Sequence, residues 1–438
     1  MDLILAHGLG GRSDLPLPGW IFAWAAAAVL ALSFFAFASL WQTPKLETSR
    51  ARRLFTVPQF IDVLCGALGV AFFGFLVYVG TAGTQEVGDN LLPSFIYVFV
   101  WVALPILSAI FGDLFRPFNP WRAIARFAGW LQRRVAPRSG TTQFNYPDAL
   151  GRAPATVLLL VFGYLELISA DGRDPGLLAR LMVVYMVIQL AGSALFGTKT
   201  WLERGDAFGL YLNFFSRISP LSIEDRKFAV RLPLAGLTDI APIAGTVTFV
   251  CAVIGITAFD GASVGPLWDS IAGDSPSALV STLGMLAMVA IVFGFYRLGV
   301  EGMRSSHIEK SPRELGMIFA PSLVPIALGY VVAHYFSFLV FQGQALWALA
   351  SDPLADGSNW FGTADRAVDY AALSNTAIWW VQVVALVLGH VGGLAVAHDR
   401  ALAVWGKARA AVQSQVWMLT VMVGFTSLGL WLLSQANA

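Results

Sequence analysis

The chain has 438 residues, 57% of them hydrophobic and only 13% charged, with a formal net charge of +1. Charged residues are about a quarter of an ordinary soluble domain, so the composition excludes a soluble enzyme of the usual kind. A net charge this close to zero also excludes a nucleic-acid-binding protein, which concentrates basic side chains on one surface.

The apolar residues fall in long blocks. A hydrocarbon core about 30 Å thick needs roughly 20 such residues in a helix. Segments that qualify are 17–41, 59–80, 93–111, 154–170, 179–196, 237–259, 277–298, 317–342, 372–398 and 416–434. The first lacks the basic leader of a cleaved signal peptide and is long enough to span, so it is expected to be a membrane helix preceded by an outward segment, 1–16. Pro105, Pro242, Pro321 and Pro325 lie inside these segments, as membrane helices tolerate when neighbours satisfy the freed backbone groups.

Alternate loops differ sharply in charge. Loops 42–58, 112–153, 197–236, 299–316 and 399–415 carry four, seven, six, three and three lysines or arginines. With Arg297 at a helix end, 24 of the 28 basic residues fall on one side; the other side holds Arg12, Arg173, Arg180 and Arg366. Basic loops face the cytoplasm. The expected architecture is therefore an all-α integral membrane protein, a single domain of about ten transmembrane helices with both termini on the non-cytoplasmic side. The loop 343–371, with Asp352, Asp356, Asp365 and Asp369, is expected outside.

Two basic loops carry amphipathic helices. Over 120–134, Trp121, Ile124, Phe127 and Trp130 recur at helical spacing beside Arg122, Arg126, Arg133 and Arg134. Over 204–219, Phe208, Tyr211, Phe215 and Ile218 repeat the theme. Both patterns predict helices lying in the inner interface, with lipid as the partner of the apolar face. Cys65 and Cys251 lie in different apolar segments and have no metal-type spacing, so they predict neither a disulfide nor a cysteine metal site.

Ionisable residues inside a membrane are costly and mark functional sites by default. The candidates are Glu166 near the outer end of the fourth segment, His334 in the outer half of the eighth and His390 in the ninth. His7 lies in the outward amino-terminal segment. Asp239, His398 and Asp399 lie toward the inner side. At 1.5 Å per residue His334 lies roughly 12 Å below its outer helix end and Glu166 roughly 6 Å. His390 lies deeper, so Glu166, His334 and His7 form the expected outer group, with His390 joining if its helix is tilted. Imidazole and carboxylate together suit a divalent metal such as zinc, which would make hydroxide available for attack. The structural alternative is His334 hydrogen-bonded to nearby Ser337 or Gln342. A haem between His334 and His390 is a further alternative, opposed by their difference in depth. The stretch Gly261-Ala262-Ser263-Val264-Gly265 matches G-x-S-x-G but is expected in an outward loop, without the sheet that a hydrolase elbow requires.

Several stretches also carry a likeness. His7-Gly8-Leu9-Gly10-Gly11-Arg12-Ser13-Asp14-Leu15-Pro16, Asn119-Pro120-Trp121-Arg122 and Glu203-Arg204-Gly205-Asp206-Ala207-Phe208 are the first three. Ala333-His334-Tyr335, Gly389-His390 and His398-Asp399-Arg400-Ala401-Leu402 complete the set. Together they resemble the polytopic bacterial membrane proteins known as fenitrothion hydrolases. The resemblance implies a bacterial cytoplasmic-membrane protein that hydrolyses an organophosphate triester and releases a nitrophenol. It is also His7, Glu166, His334 and His390 that sit in family-typical contexts, with Glu166 and His334 expected to be catalytic. An apolar triester partitions into lipid and would reach a site open to the outer leaflet. Transport of ions or protons through the same residues, and a haem- or copper-binding redox or assembly role, are the rival expectations.

Overall fold

A computed structural model describes residues 19–135, 143–273, 275–303 and 310–436. The outward segment 1–16, and His7 with it, lies outside the described residues. The described chain is almost all helix. In order, the principal elements are α1 (Gly19–Leu40), β1 (Arg52–Thr56), α2 (Gln59–Ala82), α3 (Leu91–Phe111), α4 (Pro120–Val135), α5 (Ala153–Leu167) and α6 (Pro175–Phe196). They continue with α7 (Ala207–Ser216), β2 (Leu221–Glu224), β3 (Lys227–Val230), α8 (Thr246–Ser263), α9 (Ala278–Met303), α10 (Pro312–Ser351), α11 (Asn375–Trp405) and α12 (Ala408–Ala436). Seven of these, α2, α3, α6, α8, α9, α10 and α11, are long and apolar enough to cross a membrane; Trp24–Leu40 of α1 and Ala153–Leu167 (α5) are shorter apolar stretches. Leu32, Phe35, Phe60, Leu279 and Leu283 are exposed along them, as suits side chains facing lipid and not water.

The chain forms two compact units. One contains residues 51–230 and 342–368 and the other contains 1–50, 231–341 and 369–438. In the first, Asp206 caps α7 by accepting from the Gly209 amide. The same carboxylate accepts from Asn119 Nδ2, Trp121 Nε1 and Tyr185 Oη at 3.1, 2.7 and 2.8 Å. It therefore ties α4 and α6 to the start of α7. Burial pushes the Asp206 carboxyl above the usual carboxylate range, while the four donors pull it back. Asp62 on α2 pairs with Arg122 and Arg126 of α4, and Phe127, Trp130 and Leu131 are left exposed on that helix. The second amphipathic pattern turns out differently. On α7 Leu210, Tyr211, Leu212, Phe214 and Phe215 are all buried, so its aromatic residues pack against protein, not lipid. Helical spacing of aromatic residues is common to both situations.

Proline explains the irregularity of α3. Pro105 has no N–H to offer the carbonyl one turn earlier, and residues Phe95–Ala103 are wound as a π-helix. The carbonyl one turn before Pro105 belongs to Trp101, and the Tyr211 hydroxyl donates to it at 2.9 Å. The two rings also stack, with centroids 4.7 Å apart. A buried helix from the basic loop thus donates to the carbonyl that Pro105 cannot serve. The small sheet joins this basic loop to the loop 42–58 in the order β1-β3-β2, all antiparallel.

In the second unit, Asp399 on α11 plays the part that Asp206 plays in the first. Its Oδ1 accepts from the Lys45 and Leu46 amides and from Trp41 Nε1, and its Oδ2 from the Glu47 amide. Arg400 beside it binds Glu47 and the carbonyl of Thr238. Helices α10 and α11 meet at glycines: a Cβ on Gly389 would stand 2.8 Å from the Pro325 carbonyl and 3.0 Å from the Gly329 Cα. This is the small-residue contact that lets membrane helices approach backbone to backbone. Helix α10 is interrupted at Ala320–Ser322 by a tight 3-10 turn containing Pro321. Its carboxyl-terminal end reaches Ser351, well into the stretch expected as the loop 343–371.

Replacing Tyr211 with Phe keeps the ring and removes the donor to Trp101. An unsatisfied buried acceptor costs about 1–3 kcal/mol. The Tyr211→Phe protein in detergent should therefore unfold at lower temperature, while Tyr146→Phe, a half-buried hydroxyl that binds Gly151 at a loop, serves as the milder comparison.

Candidate functional site

The sixth expected segment, 237–259, is shifted along the chain in the structure. Residues Ala235–Asp239 form a 3-10 turn, Pro242 follows, and Gly245 adopts a left-handed conformation with φ +83° before α8 begins. The helix then runs to Ser263. Asp239 is therefore outside any spanning helix, and Asp260, expected in a loop, sits on the last turn of α8. The G-x-S-x-G stretch is the end of this same helix and the turn after it, not a loop between strand and helix.

Asp260 is 2% exposed and His334, on α10, is 9% exposed. His334 Nε2 lies 2.9 Å from Asp260 Oδ2. An ionised carboxylate has only acceptors, so against it Nε2 carries the hydrogen and Nδ1 keeps the lone pair. The other side of the ring lies against Gly261: a Cβ there would stand 3.3 Å from Nδ1 and 3.4 Å from Cε1. Glycine at 261 thus keeps space beside the lone-pair nitrogen that any side chain would reduce. The Tyr335 ring meets the imidazole edge-on, centroids 4.6 Å apart. The partner of His334 is a carboxylate from another helix, not the nearby Ser337 or Gln342.

The remaining candidates lie on other helices. Glu166 lies on α5, half-buried, in the unit of residues 51–230 and 342–368, whereas His334 and Asp260 belong to the other unit. His390 on α11 is fully buried; its Nδ1 lies 2.8 Å from the Leu386 carbonyl, to which it donates. His398 donates from Nε2 to the Trp41 carbonyl at 2.9 Å and faces the Gln415 amide through Nδ1. His398 and Asp399 are both fully buried and committed to holding the loop that follows α1. Among the described residues no three histidine, cysteine, aspartate or glutamate side chains gather as metal ligands.

Sequence reasoning missed Asp260 because the apolar window ended one residue before it. Moving the window's start past Pro242 and Gly245, both helix-disfavouring positions, would have brought Asp260 inside the helix. Comparison with protein-family models, with curated proteins and with solved structures gave no match to this chain.

Chemically, the arrangement is a carboxylate-oriented imidazole in apolar surroundings. Such a pair holds one tautomer and can accept a proton on the far nitrogen. Breaking a buried pair by removing one partner costs about 3–5 kcal/mol, while replacing both with apolar groups is often neutral. His334→Leu and Asp260→Leu should each lower the midpoint of thermal unfolding, and the double variant should recover most of the loss. Additive effects in the double variant would show that the two side chains act separately.

Proposed function

We propose that this chain is a polytopic membrane protein with ten crossings and both termini outside the cytoplasm, and that it hydrolyses an apolar phosphotriester at His334. Loop-to-loop bonds support the topology. On the basic side, β1 pairs with β3, Asp399 holds the amides of residues 45–47, and Asp206 binds Asn119 and Trp121. On the acidic side the Thr84 amide binds the Leu354 carbonyl, and the Gly176 amide binds Gln85. Each bond joins two loops that the charge alternation assigns to the same face. Each of the ten apolar segments also overlaps one of the helices α1, α2, α3, α5, α6 and α8 to α12.

The His334–Asp260 bond carries the hydrolytic reading, and the likeness to fenitrothion hydrolases supplies the substrate class. Asp260 fixes the ring so that Nδ1 accepts a proton from water while the water oxygen attacks phosphorus. The bond from phosphorus to the aryl oxygen breaks, and the nitrophenolate leaves with the electron pair. The diester remains, and the imidazolium returns its proton to solvent. A version in which zinc or another divalent ion bound at His334 supplies the hydroxide differs in its response to chelation.

Purified protein in detergent should release nitrophenolate from fenitrothion with no ion gradient present. His334→Gln and Asp260→Asn should lower kcat/KM by about 10²–10⁴-fold, the range for general-base loss. Activity that survives chelator assigns the step to the pair alone, and activity restored only by zinc assigns it to a metal. No release by a folded protein, with proton flux in sealed vesicles, would replace hydrolysis by transport. For the topology, single cysteines at Ser222 and Ser358 in a chain with Cys65 and Cys251 replaced by Ala should react with impermeant reagent from opposite sides.

A further inference from the structure

A second site lies apart from the His334 pair. A cavity of about 60 Å³ within the same unit is bordered by His390 of α11 and by Met418, Met422 and Phe425 of α12, with Tyr296 and Ser322 on its wall. His390 is fully buried. Its Nδ1–H is spent on the Leu386 carbonyl, which leaves Nε2 as the lone-pair nitrogen, and that atom has no hydrogen-bond partner among the described residues. The two hydroxyls on the wall do not serve it. Tyr296 donates to the Gly316 carbonyl and Ser322 to the Phe319 carbonyl.

A buried water usually makes about three hydrogen bonds, and this cavity offers it Nε2 and little else. What the wall does supply is soft. Met418 and Met422 are one helical turn apart, so their side chains leave the same face of α12. Both are nearly buried, at 7% and 8% exposure. Two thioethers and an imidazole nitrogen are a donor set selective for Cu(I). The imidazole is oriented from behind by a backbone carbonyl, as metal-bound histidines regularly are. All three donors are neutral, and the desolvation cost of an ion grows with the square of its charge, so a monovalent ion suits this apolar wall better than a divalent one.

We infer that His390, Met418 and Met422 form a binding site for one Cu(I) ion. The inference is independent of the hydrolytic reading and uses none of the His334 site. Tyr330, whose ring centroid lies 6.1 Å from that of His390, and the Gly329–Gly389 contact hold the imidazole in place beside the cavity.

The full-length protein in detergent, kept anaerobic, is titrated with Cu(I) in competition with a chromogenic Cu(I) chelator. One equivalent should bind, and X-ray absorption should show both sulfur and nitrogen neighbours at copper. Met418→Leu and Met422→Leu conserve volume and should keep the thermal midpoint, yet each should weaken Cu(I) binding at least tenfold. His390→Leu should abolish it. Zn(II) added alone should not be retained. The inference is overturned if wild-type protein retains no Cu(I), if the Met418→Leu/Met422→Leu double variant binds it unchanged, or if Zn(II) is held as well as Cu(I).

Discussion

A carboxylate taken away from water must be met by donors, or its charge makes the fold unstable. This chain buries Asp206 and Asp399 completely, and each is surrounded by four donors, all but the Gly209 amide drawn from other segments of the sequence. Around Asp206 the donors come from Asn119, Trp121, Tyr185 and the Gly209 amide. Around Asp399 they come from Trp41 and from three consecutive amides of the loop after α1. Helices with interchangeable apolar surfaces have little in their faces to fix their order. These two polar centres fix which loops meet and hence which helices are neighbours within each unit.

The same rule governs backbone groups. Pro105 and the π-wound turn before it take α3 out of regular hydrogen bonding, and Tyr211 restores a donor to the carbonyl that lost one. The tight 3-10 turn at Ala320–Ser322 interrupts α10 a little before Gly329, where the helix lies against Gly389 of α11. Irregularity in these helices is thus placed where another part of the protein compensates for it or uses it. His390 follows Gly389 directly, so the close helix approach also sets the position of that imidazole.

The three described histidines illustrate how one residue type takes different roles from its surroundings. His398 has both nitrogens engaged and acts as a structural bracket. His334 has one nitrogen on Asp260, which orients it for proton transfer. His390 has one nitrogen on its own helix and the other facing an apolar wall with two thioethers. Position along the sequence set His398 apart on the inner side but left His334 and His390 together as candidate ligands. Partners separate them, and every partner except the Leu386 carbonyl lies far away in sequence.

Much of the helix layout is legible in the amino-acid sequence, because the length and polarity of an apolar segment are local properties. So is the alternation of basic loops. The helix over 120–134 is found at Pro120–Val135 with Phe127 and Trp130 exposed and Trp121 buried, again from a local pattern. The burial of α7 was not legible, since aromatic spacing is the same whether a helix meets lipid or Trp101. Nor was the pairing of His334 with Asp260, which depends on where α8 ends and on Gly261 leaving room for the ring. Sequence by itself determined that the chain is built from long apolar helices and how polar each loop is. Tertiary structure alone decided which buried charges meet, because that depends on contacts between residues tens or hundreds of positions apart.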